Sequence, residues 1–149
     1  MKIIVQEQDF DVGYEISGLA AGDPGVGGIA SFVGLVRAES EGGAVAGMTL
    51  EHYPAMTRKA LEDIVAQAAA RWVLRDAVVI HRVGALKPGE RIVLVAVASV
   101  HRGDAFAACE FIMDYLKTRA PFWKKERTPD GERWVEARAS DEEAARRWC

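Results

Sequence analysis

Lys117, Arg119, Lys124 and Lys125 put four cations within nine positions, in the stretch Tyr115-Leu116-Lys117-Thr118-Arg119-Ala120-Pro121-Phe122-Trp123-Lys124-Lys125-Glu126. Cations packed this closely repel one another, so an anionic ligand explains them more readily than structure does. Crowding also lowers a lysine pKa and frees the amine to act as a base or nucleophile. A second basic group, His101-Arg102-Gly103-Asp104, opens a helix, where free backbone N–H groups and the helix dipole favour a bound phosphate or carboxylate. Arg37 leaves the end of a strand as a third source of charge. Each has a plainer reading. Lys117 sits in the last turn of a helix, where the dipole welcomes a cation. Asp104 reads as an N-cap beside a surface Arg102. Glu51-His52-Tyr53 and His81-Arg82 read as ordinary strand residues.

The elements that must position these groups follow from periodicity. Ala105, Cys109, Ile112, Met113 and Leu116 recur at helical spacing, which predicts a helix ending at Lys117 and closed by Pro121. After Pro121 the chain reads as a strand, so only one of Lys124 and Lys125 can face a shared pocket. Phe122 flanks one face and Trp123 the other, and periodicity does not choose between them. Thr128-Pro129-Asp130-Gly131 turns that strand into a hairpin with Glu132 to Arg138. Ser140 with Glu143 has capping-box spacing, opening a short terminal helix through Trp148.

Earlier, Met1 to Val5 and Gly27 to Val36 read as strands, with a short helix over Asp9 to Ala20 between them. A solvated loop is expected over Ala38 to Gly47, and a strand over Met48 to Tyr53. Thr57 to Trp72 carries an apolar stripe of Ala60, Leu61, Ile64, Val65, Ala68 and Trp72, a packing helix. Ala77 to Val83 and Arg91 to Val100 are strands joined by a turn over Gly84 to Gly89. The second is apolar on both faces and belongs in the middle of its sheet. Two long helices among strands and hairpins predict an α+β fold with a mixed or antiparallel sheet.

The 149 residues, half of them hydrophobic, fit one domain over 1–149 with a full core, and the net charge of −3 argues against a general nucleic-acid binder. No apolar run spans a bilayer, no signal-peptide pattern follows the first strand, and a cytoplasmic location without membrane contact is expected. The two cysteines suggest neither a disulfide framework nor a metal site. Phosphate-loop, dinucleotide and nucleophile-elbow motifs are absent, and no metal or cofactor is expected.

Four segments together, Thr49 to Pro54, Ile80 to Gly84, Ala98 to Arg102 and Tyr115 to Glu126, resemble the large, catalytic subunit of molybdopterin synthase. The resemblance runs from about Ile29 to Trp148. It implies an α/β hammerhead-type α+β domain that forms a homodimer, each copy holding one small ubiquitin-like subunit. The implied reaction moves sulfur from a thiocarboxylate on that subunit's C-terminal Gly-Gly to cyclic pyranopterin monophosphate, forming the dithiolene of molybdopterin. No cysteine of this chain is then needed. By the same resemblance Lys117 and Lys124 are the catalytic lysines. Arg37, His101 and Arg102 form the substrate-anion site, Arg138 completes it from the same or the neighbouring subunit, and Lys125 and Glu126 lie near the substrate. The segment Ala38 to Gly43 departs from the pattern, being small and acidic where relatives carry polar groups after the arginine. A rival reading is a non-catalytic dimeric module that binds an acidic or phosphate-bearing partner tail in the same pocket. A nucleotide-binding protein ranks below both, for want of a glycine-rich cradle.

Overall fold

The computed structural model describes residues 1–40, 43–135 and 138–149. The chain opens with β1 (Lys2–Gln6) and α1 (Val12–Ala20), whose N-cap is Asp11; its carboxylate accepts the Tyr14 N–H at 2.9 Å. β2 (Gly28–Leu35) is followed by two very short strands, β3 (Glu39–Ser40) and β4 (Gly43–Ala44), then by β5 (Gly47–His52) and α2 (Pro54–Arg71). Pro54 ends β5 as its missing N–H requires, and opens α2, where that N–H would have no partner anyway.

β6 (Leu74–Arg82), β7 (Gly84–Leu86) and β8 (Arg91–Ser99) lead into α3 (Arg102–Arg119). The chain ends with β9 (Phe122–Thr128), β10 (Gly131–Val135) and α4 (Ala139–Arg146). Gly131 takes φ +112°, the left-handed conformation that the turn between β9 and β10 demands.

One mixed sheet has the order β1-β6-β8-β2, with β1 parallel to β6 and the other pairs antiparallel. β8 is an inner strand, as its two apolar faces require. Val93, Val95 and Val97 enter the core under α2 and α3, while Leu94, Ala96 and Ala98 enter the core against α1. A second sheet, β10-β9-β5-β7, is wholly antiparallel and packs Leu50 and Leu86 with Val36 and Val83 in a third cluster. The architecture is α+β, with the two long helices on one face of the mixed sheet.

Four local expectations change. The segment after Arg37 is not all solvated loop: β3 pairs β4, and Val45 is buried with its N–H donating to the Ala38 carbonyl at 2.8 Å. Residues 41–42 of that segment lie outside the described residues. The expected turn over Gly84 to Gly89 contains β7, which pairs with β5 because Ala85 and Leu86 find Thr49 and Met48 opposite them. His101, not Asp104, is the N-cap of α3, and the Asp104 carboxylate accepts the Val73 N–H at 3.1 Å. Arg138 is the N-cap of α4, which places Ser140 inside the helix and leaves the capping box unformed. Of the strand expected through Arg138, residues 136–137 lie outside the described residues. No helix of the described residues is long and apolar enough to cross a membrane.

Candidate active site at the two ends of one helix

α3 carries site residues at both ends. Arg102 opens it and Lys117 lies in its last turn. Fifteen residues at about 1.5 Å each separate them by about 22 Å, too far for both to touch one small ligand from the same chain. The expected cluster of Arg37, His101, Arg102, Lys117 and a β9 lysine therefore splits in two.

The C-terminal end of α3 holds the denser group. Trp123 and Lys125 alternate with Phe122, Lys124 and Glu126 along β9, on opposite faces of the second sheet. Lys125 lies opposite Trp134 of β10. Its Nζ sits 5.2 Å from the Trp134 ring and 2.9 Å from a Glu132 carboxylate oxygen. Lys124 is the lysine that meets Lys117. Its pKa falls to about 8, first because burial penalises the charge and next because the Lys117 ammonium repels it; Arg138 pushes the same way and Asp141 opposes. Arg138 thus stands beside Lys124 within its own chain. Arg37 follows β2 at this same end of the mixed sheet, since Leu35 pairs with Arg91 at the start of β8.

Glu126 shares the Lys124 face but is already engaged. Its Oε1 accepts from the Ser40 hydroxyl and from Arg133, both at 3.1 Å, and Arg133 also donates to Ser40 at 3.0 Å. A buried carboxylate with two donors ties the β3–β4 hairpin to β9 and β10. Thr57 of α2 fixes the other end of β9, its buried hydroxyl donating to the Pro121 carbonyl at 3.5 Å.

His81 and His52 belong to this end too, although their strands gave them no sign of chemistry. His81 is 4% exposed. Burial drives its pKa to about 3, and Lys117, Lys124 and His52 each add repulsion. Only the face His81 takes was legible in the sequence: the period-two alternation of β6 places it on the same side as Ala77 and Val79, under α3.

The N-terminal end of α3 is an open cleft of about 470 Å³ lined by Gly27, Val100, His101, Arg102 and Gly103. Gly27 is required there, because a Cβ would come within 1.9 Å of the Val100 carbonyl oxygen. First-turn N–H groups, an exposed guanidinium and an exposed imidazole make this cleft suited to an oxyanion. A second hollow of about 490 Å³ lies beside α1, but its Arg91 is bound bidentately to Asp9 at 3.0 and 2.6 Å. Neither cysteine enters either end. Burial pushes the Cys109 thiol up to about 11, with the Glu110 charge adding to it, and Cys149 is exposed at the C-terminus.

The family described as MoaE protein matches residues 5–119. The molybdopterin synthase catalytic subunit of Ralstonia nicotianae is 64% identical over 98% of this chain and 83% of its own length. That of Escherichia coli (strain K12) is 56% identical, over 99% of this chain and 97% of its own. The solved molybdopterin biosynthesis MoaE protein of Burkholderia ambifaria superposes with a TM-score of 0.84 at 56% identity, covering 99% of this chain and 97% of that one. With matches of this extent, the chain belongs to the MoaE protein family, the family of the molybdopterin synthase catalytic subunits.

Proposed function

We propose that this chain transfers sulfur from the thiocarboxylated C-terminus of a small ubiquitin-like subunit to cyclic pyranopterin monophosphate, in the cytoplasm. The observation that carries the reading is the Lys117–Lys124 pair, one amine lowered to about 8 by burial and by the other's charge, with no thiol beside it. Such a pair attracts a thiocarboxylate and holds one amine ready to exchange a proton near neutral pH. In each transfer the thiocarboxylate sulfur bonds to a substrate carbon, and the displaced oxygen leaves protonated, as water or on the substrate's phosphate. Hydrolysis of the acyl–sulfur bond then returns the tail as a carboxylate. Lys117 stabilises the attacking tail, and Lys124 orients the pterin or its departing oxygen.

The substrate phosphate belongs with Arg102 and His101. Since these lie about 22 Å from Lys117 along α3, the complete site draws on two copies of the chain, which supports a homodimer. Arg37 and Arg138 add charge at the lysine end. Glu126 acts through the Ser40–Arg133 network, and Lys125 stands on the reverse face with Trp134.

The test mixes the purified protein with thiocarboxylated small subunit and cyclic pyranopterin monophosphate and follows sulfur incorporation by mass spectrometry. The expected product carries two sulfurs in place of two oxygens, and the tail returns as carboxylate. Lys117→Ala is expected to lower conversion by at least about 100-fold, in the range seen when one electrostatic stabiliser is removed, while the small subunit still binds. No incorporation by the unaltered protein, with the small subunit bound, would make it a non-catalytic binding module instead.

A further inference from the structure

His81 is a buried titratable group to which the sulfur-transfer reading gives no task. It lies on β6 between Val5 of β1 and Val93 of β8, on the face covered by α2 and α3. Its ring stacks on Phe122 of β9, with 3.9 Å between centroids and 16° between planes. Nδ1–H donates to the Arg82 carbonyl at 2.8 Å. Because a carbonyl only accepts, the proton resides on Nδ1, and the ring is fixed in one tautomer. The imidazole is thus a flat, neutral wedge between the mixed sheet and the first residue of β9.

Phe122 and Lys124 point to the same side of β9, two positions apart. Whatever fixes Phe122 also fixes how the Lys124 side chain leaves the strand. A cation at position 81 would stand beside both lysines; a smaller side chain would leave Phe122 without its stacking partner.

We propose that His81 is a positioning residue for Lys124: clamped to Phe122, its ring sets the start of β9 so that the Lys124 amine is held, buried, against Lys117, with no third positive charge beneath the pair. The inference rests on the reading of that pair as the reacting groups. Among the described residues, the charged groups facing Lys124 are Lys117 from α3, and Arg138 and Asp141 from the start of α4. His52 of β5 faces His81. None of these supplies the stack on Phe122.

The test titrates Lys124 by NMR in the full chain carrying ¹³C-labelled lysine, the resonance being assigned with Lys124→Arg. The unaltered protein is expected to titrate near pH 8. His81→Phe keeps a flat neutral ring on Phe122 and should leave that midpoint in place. His81→Ala removes the stack and admits water, and should move the midpoint up by about one pH unit or more toward the ordinary lysine value. If His81→Ala does not fold, Phe122→Leu removes the same stack from its other member and should produce the same rise. A midpoint that stays near 8 after loss of the stack, or that rises as far in His81→Phe as in His81→Ala, overturns the inference. This titration needs neither substrate nor partner, so its failure is distinct from failure of the sulfur-transfer reading, which the conversion assay tests.

Discussion

Lys124 illustrates how one side chain's chemistry is set by its neighbours. Its lowered pKa means that between about 8 and the ordinary lysine value the folded chain has released a proton that the unfolded chain still holds. Stability linked to this group therefore rises with pH across that window, and the group's full cost is present below about 8. Replacing Lys117 with Ala removes a repelling charge, so the Lys124 midpoint should rise in the NMR titration. It should stay below the ordinary lysine value, because burial is the larger cause of the shift. A midpoint that does not move would show that the two amines are uncoupled. Lys125 is the contrasting case. It is adjacent in sequence and carries the same side chain, but its charge meets an exposed carboxylate and a tryptophan ring, where an ion pair is worth about 0.2–1 kcal/mol.

At the scale of elements, α4 matters more than its eight residues suggest. Arg147 donates to Glu110 and Asp114 at 2.5 and 2.8 Å, and Trp148 Nε1–H to Asp114 at 2.6 Å. Trp148 also packs edge-on against Trp72 and Phe111, and Arg71 holds its carbonyl at 2.7 Å. These contacts dock α4 on α2 and α3 and so bring Arg138 and Asp141, at its start, beside Lys124. Trp148→Ala should cost about 2–3 kcal/mol in urea unfolding, less than a fully buried tryptophan because the residue is half-buried. Partial release of α4 should also slow conversion in the mass-spectrometric assay, since the charges around Lys124 would change. The hairpin of β3 and β4 is tied down in the same manner, through Ser40, Glu126 and Arg133. Neither attachment was legible in the sequence, because both join side chains whose meeting depends on strand pairing and helix docking.

For the whole molecule, the separation of Arg102 from Lys117 gives the proposed homodimer a direct test. Mixed Arg102→Ala and Lys117→Ala chains form some dimers in which one site has both residues intact, contributed by different copies. Random pairing should then restore about a quarter of the activity that each variant lacks alone, whereas sites built within single chains would restore none. The sequence by itself determined the elements and the chemistry on offer. An apolar run on both faces marked β8 as an inner strand, 3.6-residue stripes marked α2 and α3, and the density of lysine and arginine after Tyr115 marked a place for anions. These are local properties, written in neighbouring residues. Only the tertiary structure decided that Lys124 rather than Lys125 meets Lys117, that His81 lies beneath them, and that Arg102 faces the far end of the same helix. Those outcomes depend on sheet register and on a helix about 27 Å long, and they arise only when distant segments are brought together.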